Sequence, residues 1–177
     1  MEEVYILLGS NRGDRKNHLL NARNLIAEVV SNIFTSSAIY ESQPWGFDDP
    51  VLFLNQVIGI NTNITPEQLL DKLLLIEKMM GRLRSSARSS CEISGCEIHA
   101  EDQLYEARII DLDILLFGNR LIFTERLMVP HPKLHERMFT LIPLNEVASG
   151  YIHPLLKKTI FVLLNECKDR SQVILSD

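Results

Sequence analysis

Two carboxylates, Asp111 and Asp113, interrupt an otherwise apolar run in RIIDLDILLFG, residues 108–118. They are two residues apart, the repeat at which side chains of an extended strand share a face. Same-face neighbours stand ~7 Å apart along a strand. Both carboxylates can therefore converge on a pair of divalent cations ~3.5–4 Å apart, the arrangement that neutralises polyphosphate during its transfer. Arg108, just upstream, adds a guanidinium whose fork matches phosphate oxygens. The plainer alternative is a half-solvated strand whose polar face happens to show two aspartates.

Further cations lie on either side. Arg82 and Arg84 follow an apolar-striped helix, and the competing explanation is a helix C-terminus that favours positive charge. The segment VPHPKLHERMF carries His131, Lys133, His135 and Arg137 within seven residues, a basic patch able to hold phosphates. Neither a Walker P-loop nor a G-x-G-x-x-G is present, so a nucleotide site must be built from side chains and metal.

A scaffold must position these groups. VYILLG (4–9) reads as a buried strand ended by the turn-rich GSNRGD. Leu19, Leu20, Ile26 and Val30 recur near helical spacing over 17–30. FTSSAIYES (34–42) and FLNQVIGINTN (53–63) alternate as strands, with QPWGFDDP between them as a loop because of its prolines and glycine. Thr65, Pro66 and Gln68 form a helix start of the capping-box kind. Leu69, Leu70, Leu73, Ile76 and Met80 continue it as an apolar stripe, and Gly81 is its natural stop.

A polar stretch without periodicity follows, longer than the ~15 residues at which loops are usually functional or mobile. Next comes a strand over 108–117, with Ile110, Leu112, Ile114 and Leu116 toward the core and Ile109 and Leu115 on the aspartate face. FGNRLI turns into a short strand, a helix begins at Arg137, and Pro154 opens a last amphipathic helix through Leu164. The order strand, helix, strand, strand, helix, strand, with extra helices at the end, predicts an α+β fold. Its expected form is a ferredoxin-like, mostly antiparallel sheet flanked by helices, in a single domain over 1–177.

Composition narrows the class. Hydrophobic residues make up 46% of the 177 and charged residues 23%, as in soluble globular proteins. A net charge of −5 argues against general nucleic-acid or anionic-membrane binding. No secretory signal and no run of ~18 apolar residues is visible. The three cysteines, Cys91, Cys96 and Cys167, make no even disulfide framework. A cytoplasmic location is expected. Cys91, Cys96 and His99 lack a C-x-x-C pair and a fourth ligand, so a zinc site is not expected there.

The motifs LLGSNRGD, YESQPWG with FLNQ, IEKMMGRLR, R-x-x-DLDILLFG and VPHPKLHERMF stand in the order seen in the 6-hydroxymethyl-7,8-dihydropterin pyrophosphokinase family of folate synthesis. The chain resembles that family over about residues 4–148. The resemblance implies transfer of pyrophosphate from ATP to the hydroxymethyl group of a reduced pterin, with release of AMP. It implies that Asp111 and Asp113 hold two magnesium ions, and that Arg82 and Arg108 stabilise charge on the moving group. Leu70, Glu77, Arg84, Ile114, Arg126, His131 and Arg137, with Arg82, correspond to positions that contact the nucleotide. Ser42, Gln43, Trp45, Phe53, Asn55, Tyr105 and Phe139 correspond to the pterin pocket.

The residue types agree with those roles. Phe53 and Phe139 offer stacking faces, although plain core packing is the commoner use of such residues. Asn55 offers both a donor and an acceptor to a heterocycle edge. The chain departs from the family pattern at Gln43, where proline is frequent, and at Tyr105, where tryptophan is frequent; Trp45 falls at a variable position. The long segment over 82–108 is expected to act as a lid over bound substrates. Two other readings are a D-x-D nucleotidyltransferase, against which the YESQPWG…FLNQ motif speaks, and a ferredoxin-like binding or regulatory module without turnover. No protein partner is evident.

Overall fold

The computed structural model describes residues 1–81 and 108–176. The expected lid, with Arg82, Arg84, Cys91, Cys96, His99 and Tyr105, lies outside the described residues. In chain order the elements are β1 (Glu2–Ser10), α1 (Arg15–Val29), β2 (Ile33–Ser36), β3 (Tyr40–Ser42), β4 (Phe53–Thr62), α2 (Pro66–Met79) and β5 (Asp111–Phe117). A two-stranded hairpin, β6 (Ile122–Phe123) with β7 (Met128–Val129), comes next. A 3-10 turn (Leu134–Glu136), α3 (Met138–Ala148), α4 (Ile160–Glu166) and β8 (Val173–Leu175) complete the chain.

The main sheet runs β5-β1-β4-β3-β8, with β2 also paired to β4, and every pairing is antiparallel. This is the ferredoxin-like arrangement the element order predicts. Its central strands read as continuous apolar runs because both faces are covered. Val4, Ile6, Leu8, Ile58 and Ile60 pack under α1 and α2, through Leu19, Ile26, Leu69, Leu73 and Ile76. Tyr5, Leu7 and Val57 pack on the other side against Leu141 and Leu144 of α3 and Ile160 and Leu163 of α4. Truncating one fully buried aliphatic here, such as Ile58→Ala, would cost about 2–5 kcal/mol.

The helix starts follow their local signals. The Thr65 hydroxyl accepts the Gln68 N–H at 3.2 Å, and the Gln68 side chain accepts the Thr65 N–H at 2.9 Å. The α1 start is capped by Asp14, which accepts from Asn17 N at 3.2 Å, so that helix begins two residues before the predicted 17.

Three expectations are corrected, and one strand was not foreseen. The single strand over 34–42 is two short strands, because Ser37 turns inward between them. There its hydroxyl accepts the Val57 N–H at 3.0 Å and its carbonyl accepts from the Gln56 side chain at 2.7 Å. The helix opened by Pro154 begins instead at Ile160 behind a Thr159 cap; residues around Pro154 form turns. β8 had no counterpart in the sequence reading. Leu116 does not share the core face of Ile114: the register jumps between Tyr5↔Leu116 and Ile6↔Ile114. This bulge sends Leu116 with Leu115 to the α3–α4 side and Phe117 to the α1–α2 side.

Candidate active site

Ahead of that bulge, β5 keeps strict alternation, and the two aspartates face the side of the sheet that α3 covers. Asp113 is opposite Leu7, and Asp111 is opposite Gly9. Gly9 is in turn opposite Asn55 of β4. Asp111, Gly9 and Asn55 thus form one row across three strands. A Cβ on Gly9 would lie 3.7 Å from Asn55 Oδ1 and 3.9 Å from both Asp111 Cβ and the Phe53 ring. Glycine therefore keeps the floor between the carboxylate and the amide low.

One end of this floor is polar and aromatic. Asn55 and Ser42 are both buried, and Asn55 Nδ2 donates to Ser42 Oγ at 2.9 Å. Phe53 faces Phe47 edge-on at 6.2 Å between centroids. Phe139, from the first turn of α3, adds a second aromatic wall. The loop over 43–52 is tied down by α1 and the segment before it: Arg15 Nη1 donates to Glu41 at 2.8 Å and to the Leu52 carbonyl at 2.7 Å, and Arg12 pairs with Asp49 at 3.1 Å.

The other end is charged. Arg108 forms an ion pair with Asp111. Its backbone is fixed by Asn11, whose N–H donates to the Arg108 carbonyl at 3.0 Å and whose Oδ1 accepts the Arg108 N–H at 2.7 Å. Ser10 Oγ also donates to the Ile109 carbonyl at 2.6 Å. Glu77 of α2 is buried and accepts the N–H of Leu112, the residue between the aspartates, at 2.9 Å.

Burial first, and Asp111 next, push the Asp113 carboxyl up to about 7, while Arg137 and Arg108 pull it down. Burial and the neighbouring Arg137 hold the His131 ring down at about 4, so that it is neutral at pH 7. Arg137 itself is buried and lies within cation–π distance of Trp45 and Phe139.

A cavity of about 630 Å³ joins the two ends. It gathers Ser42, Gln43, Trp45, Phe53, Asn55, Arg108, Asp111, Asp113, His131, Arg137 and Phe139, drawn from segments separated by up to about a hundred positions. Leu70, Glu77, Ile114 and Arg126 do not line it. Leu70 packs against the core, Ile114 is within it, and Arg126 pairs with Asp71 of α2 at 2.6 Å on an exposed surface. Leu7, Gly9, Phe47, Pro132 and Lys133 also line the cavity. Of these, Lys133 was legible as part of the basic patch, and Gly9 stood within the LLGSNRGD motif without a role of its own.

The donor set fits a hard divalent cation: two carboxylates on one face, one held near neutrality by repulsion and burial that a cation would relieve. No group of three or more metal-ligating side chains forms among the described residues. No helix among them is long and apolar enough to cross a membrane.

A doubly covered antiparallel sheet that points a carboxylate pair and several cations into an aromatic-walled cleft defines a small α+β protein with a site suited to a phosphate-bearing ligand. The family model for 7,8-dihydro-6-hydroxymethylpterin-pyrophosphokinase (HPPK) matches residues 5–149, and the chain belongs to that family. It is 37% identical over 160 residues to 2-amino-4-hydroxy-6-hydroxymethyldihydropteridine pyrophosphokinase of Aquifex aeolicus, covering 90% of this chain and 89% of that one. It is 36% identical over 154 residues to the folic acid synthesis protein fol1 of Pneumocystis carinii, covering 87% of this chain but 18% of that longer protein. Among solved structures, Plasmodium falciparum HPPK-DHPS with pteroate superposes with a TM-score of 0.68 at 17% identity, over 93% of this chain and 42% of that one. That likeness establishes the shared fold.

Proposed function

We infer that this protein transfers pyrophosphate from ATP to the hydroxymethyl group of 6-hydroxymethyl-7,8-dihydropterin, releasing AMP, as a cytoplasmic step of folate biosynthesis. The observation that carries the reading is the single cavity that holds Asn55 with Ser42 at one end and Asp111 with Asp113 at the other. Asp111 and Asp113 would hold magnesium, two ions on the family resemblance, which would neutralise the polyphosphate when bound.

The chain's own residues do the rest. Asn55 supplies donor and acceptor to the heterocycle edge, and Phe53 and Phe139 give it aromatic faces. Arg108, Lys133 and Arg137 bring positive charge to the phosphate end, where low exposure strengthens it. His131, whose pKa burial and Arg137 hold down at about 4, adds a hydrogen-bonding ring at this end. In the reaction the hydroxyl oxygen bonds to the β-phosphorus as the bond from that phosphorus to the α,β-bridging oxygen breaks. AMP keeps the bridging oxygen, and the hydroxyl proton passes to solvent. Positioning and electrostatics account for most of the catalysis in such transfers.

The test is incubation with ATP, magnesium and the hydroxymethyl pterin, followed by chromatography of the nucleotides. AMP and a pterin diphosphate are expected in equal amounts. Release of inorganic pyrophosphate with a pterin–nucleotide adduct, or no pterin-dependent turnover, would overturn the reading.

A further inference from the structure

Trp45 is the chain's single tryptophan, and the family resemblance assigns its position to the pterin wall. Its ring meets cations. The Arg137 guanidinium carbon lies 4.3 Å from the ring centroid, and Lys133 Nζ lies 5.1 Å from it. Arg137 is also 5.6 Å from the Phe139 centroid, and the whole residue is only 7% exposed. Cation–π attraction grows as the cation is desolvated, so the buried Arg137 contact is the stronger kind.

The two partners come from different parts of the chain. Trp45 stands in the loop over 43–52, which Arg15 of α1 and Arg12 of the segment before it tie down. Arg137 and Lys133 stand on the segment between β7 and α3. The stacking therefore joins a tethered loop to that segment. All three side chains line the cavity that contains the aspartate pair.

We propose that Trp45 is a positioning residue for the phosphate-binding cations: its ring holds the Arg137 guanidinium and the Lys133 ammonium in place before polyphosphate arrives. Long cationic side chains lose rotamer freedom when they grip a ligand, and a ring that has already ordered them removes much of that loss. The inference rests on the cavity assignment made under the proposed function. It departs from the family resemblance, which puts Trp45 in the pterin pocket, by placing it with the phosphates.

The experiment compares the wild-type chain with Trp45→Leu and Trp45→Phe. Isothermal titration measures a non-hydrolysable magnesium–ATP analogue, magnesium tripolyphosphate and the pterin separately, and steady-state kinetics gives KM and kcat. Trp45→Leu should weaken the analogue and tripolyphosphate alike, by roughly threefold to thirtyfold. It should raise KM for ATP by a similar factor with kcat and pterin affinity changed less than about twofold. Trp45→Phe, which keeps a ring, should recover most of the loss. Thermal melts confirm that both variants are folded.

Loss of pterin affinity with unchanged nucleotide affinity would overturn the proposal and return Trp45 to the heterocycle wall. Equal losses for all ligands, or none, would overturn it as well. A wild-type chain that forms no AMP would overturn the proposed function, while the tripolyphosphate titrations would still decide the role of Trp45.

Discussion

Asn55 and Asp111 are both register partners of Gly9, one on each side of β1. Two strand spacings separate them, about 10 Å, with only a glycine between. The amide that would read the heterocycle and the carboxylate that would hold metal are thus fixed by backbone pairing and not by loops.

Removing either carboxylate charge should leave the fold and stop the chemistry. Asp111→Asn and Asp113→Asn are each expected to lower turnover by about two or more orders of magnitude, because metal charge at the transition state is lost. Circular dichroism and a magnesium-dependent AMP assay check this. Near-normal turnover in either folded variant would remove the metal assignment.

Asn55→Ala should weaken pterin binding by about 1–3 kcal/mol, since a buried polar edge loses its partner. Binding of the ATP analogue should hardly change. Calorimetric titration of each ligand separates the two, and equal losses would make Asn55 a structural residue that merely ties β4 to Ser42.

At Gly9 the floor itself can be tested. An alanine Cβ would meet its neighbours at ordinary van der Waals distances, so Gly9→Ala should shift stability by less than ~1 kcal/mol. Gly9→Val would put a whole isopropyl group between Asn55 and Asp111, and pterin affinity should fall tenfold or more with the fold retained. Denaturant melts beside pterin titrations provide the measurement; unchanged affinity in a folded valine variant would show that ligand does not cross this row.

Glu77 accepts the Leu112 N–H from beneath the strand. Glu77→Ala leaves that buried donor without its acceptor and should cost about 1–3 kcal/mol of stability. Glu77→Gln keeps a carbonyl oxygen and should recover most of it. Urea midpoints decide, and an alanine variant as stable as wild type would send Glu77 back to a nucleotide-contact role.

A pH dependence of stability is expected at His153. The ring is buried, and its Nδ1 accepts N–H groups from Leu155 at 3.3 Å and Leu156 at 3.1 Å. Burial, with His135 nearby, lowers its pKa from 6.5 to about 4. The unfolded chain therefore takes up a proton below pH 6.5 that the folded ring refuses, and stability falls as pH drops from 6.5 toward 4. The slope from this one group is at most about 1.4 kcal/mol per pH unit. His153→Asn presents an acceptor that does not titrate, so its urea midpoint should decline less between pH 7 and pH 5. A parallel decline would assign the acid sensitivity elsewhere.

Much of the scaffold was legible because it is set locally. The Thr65–Gln68 capping box, the apolar stripe of α2 and the two-residue spacing of Asp111 and Asp113 depend only on near neighbours, and each stands where the pattern put it. Element order alone was enough for the antiparallel sheet, since few topologies accommodate it. What needed the folded chain was every choice of distant partner. The bulge opposite Tyr5 moves Leu116 off the face that alternation assigns it, and Ser37 splits one apparent strand by bonding to β4. Trp45 meets Arg137 across 92 positions, and Asn55 meets Asp111 only because Gly9 lies between them. A sequence carries its periodicities in consecutive residues, but such meetings are decided by register and packing. Those emerge only when the whole sheet has closed.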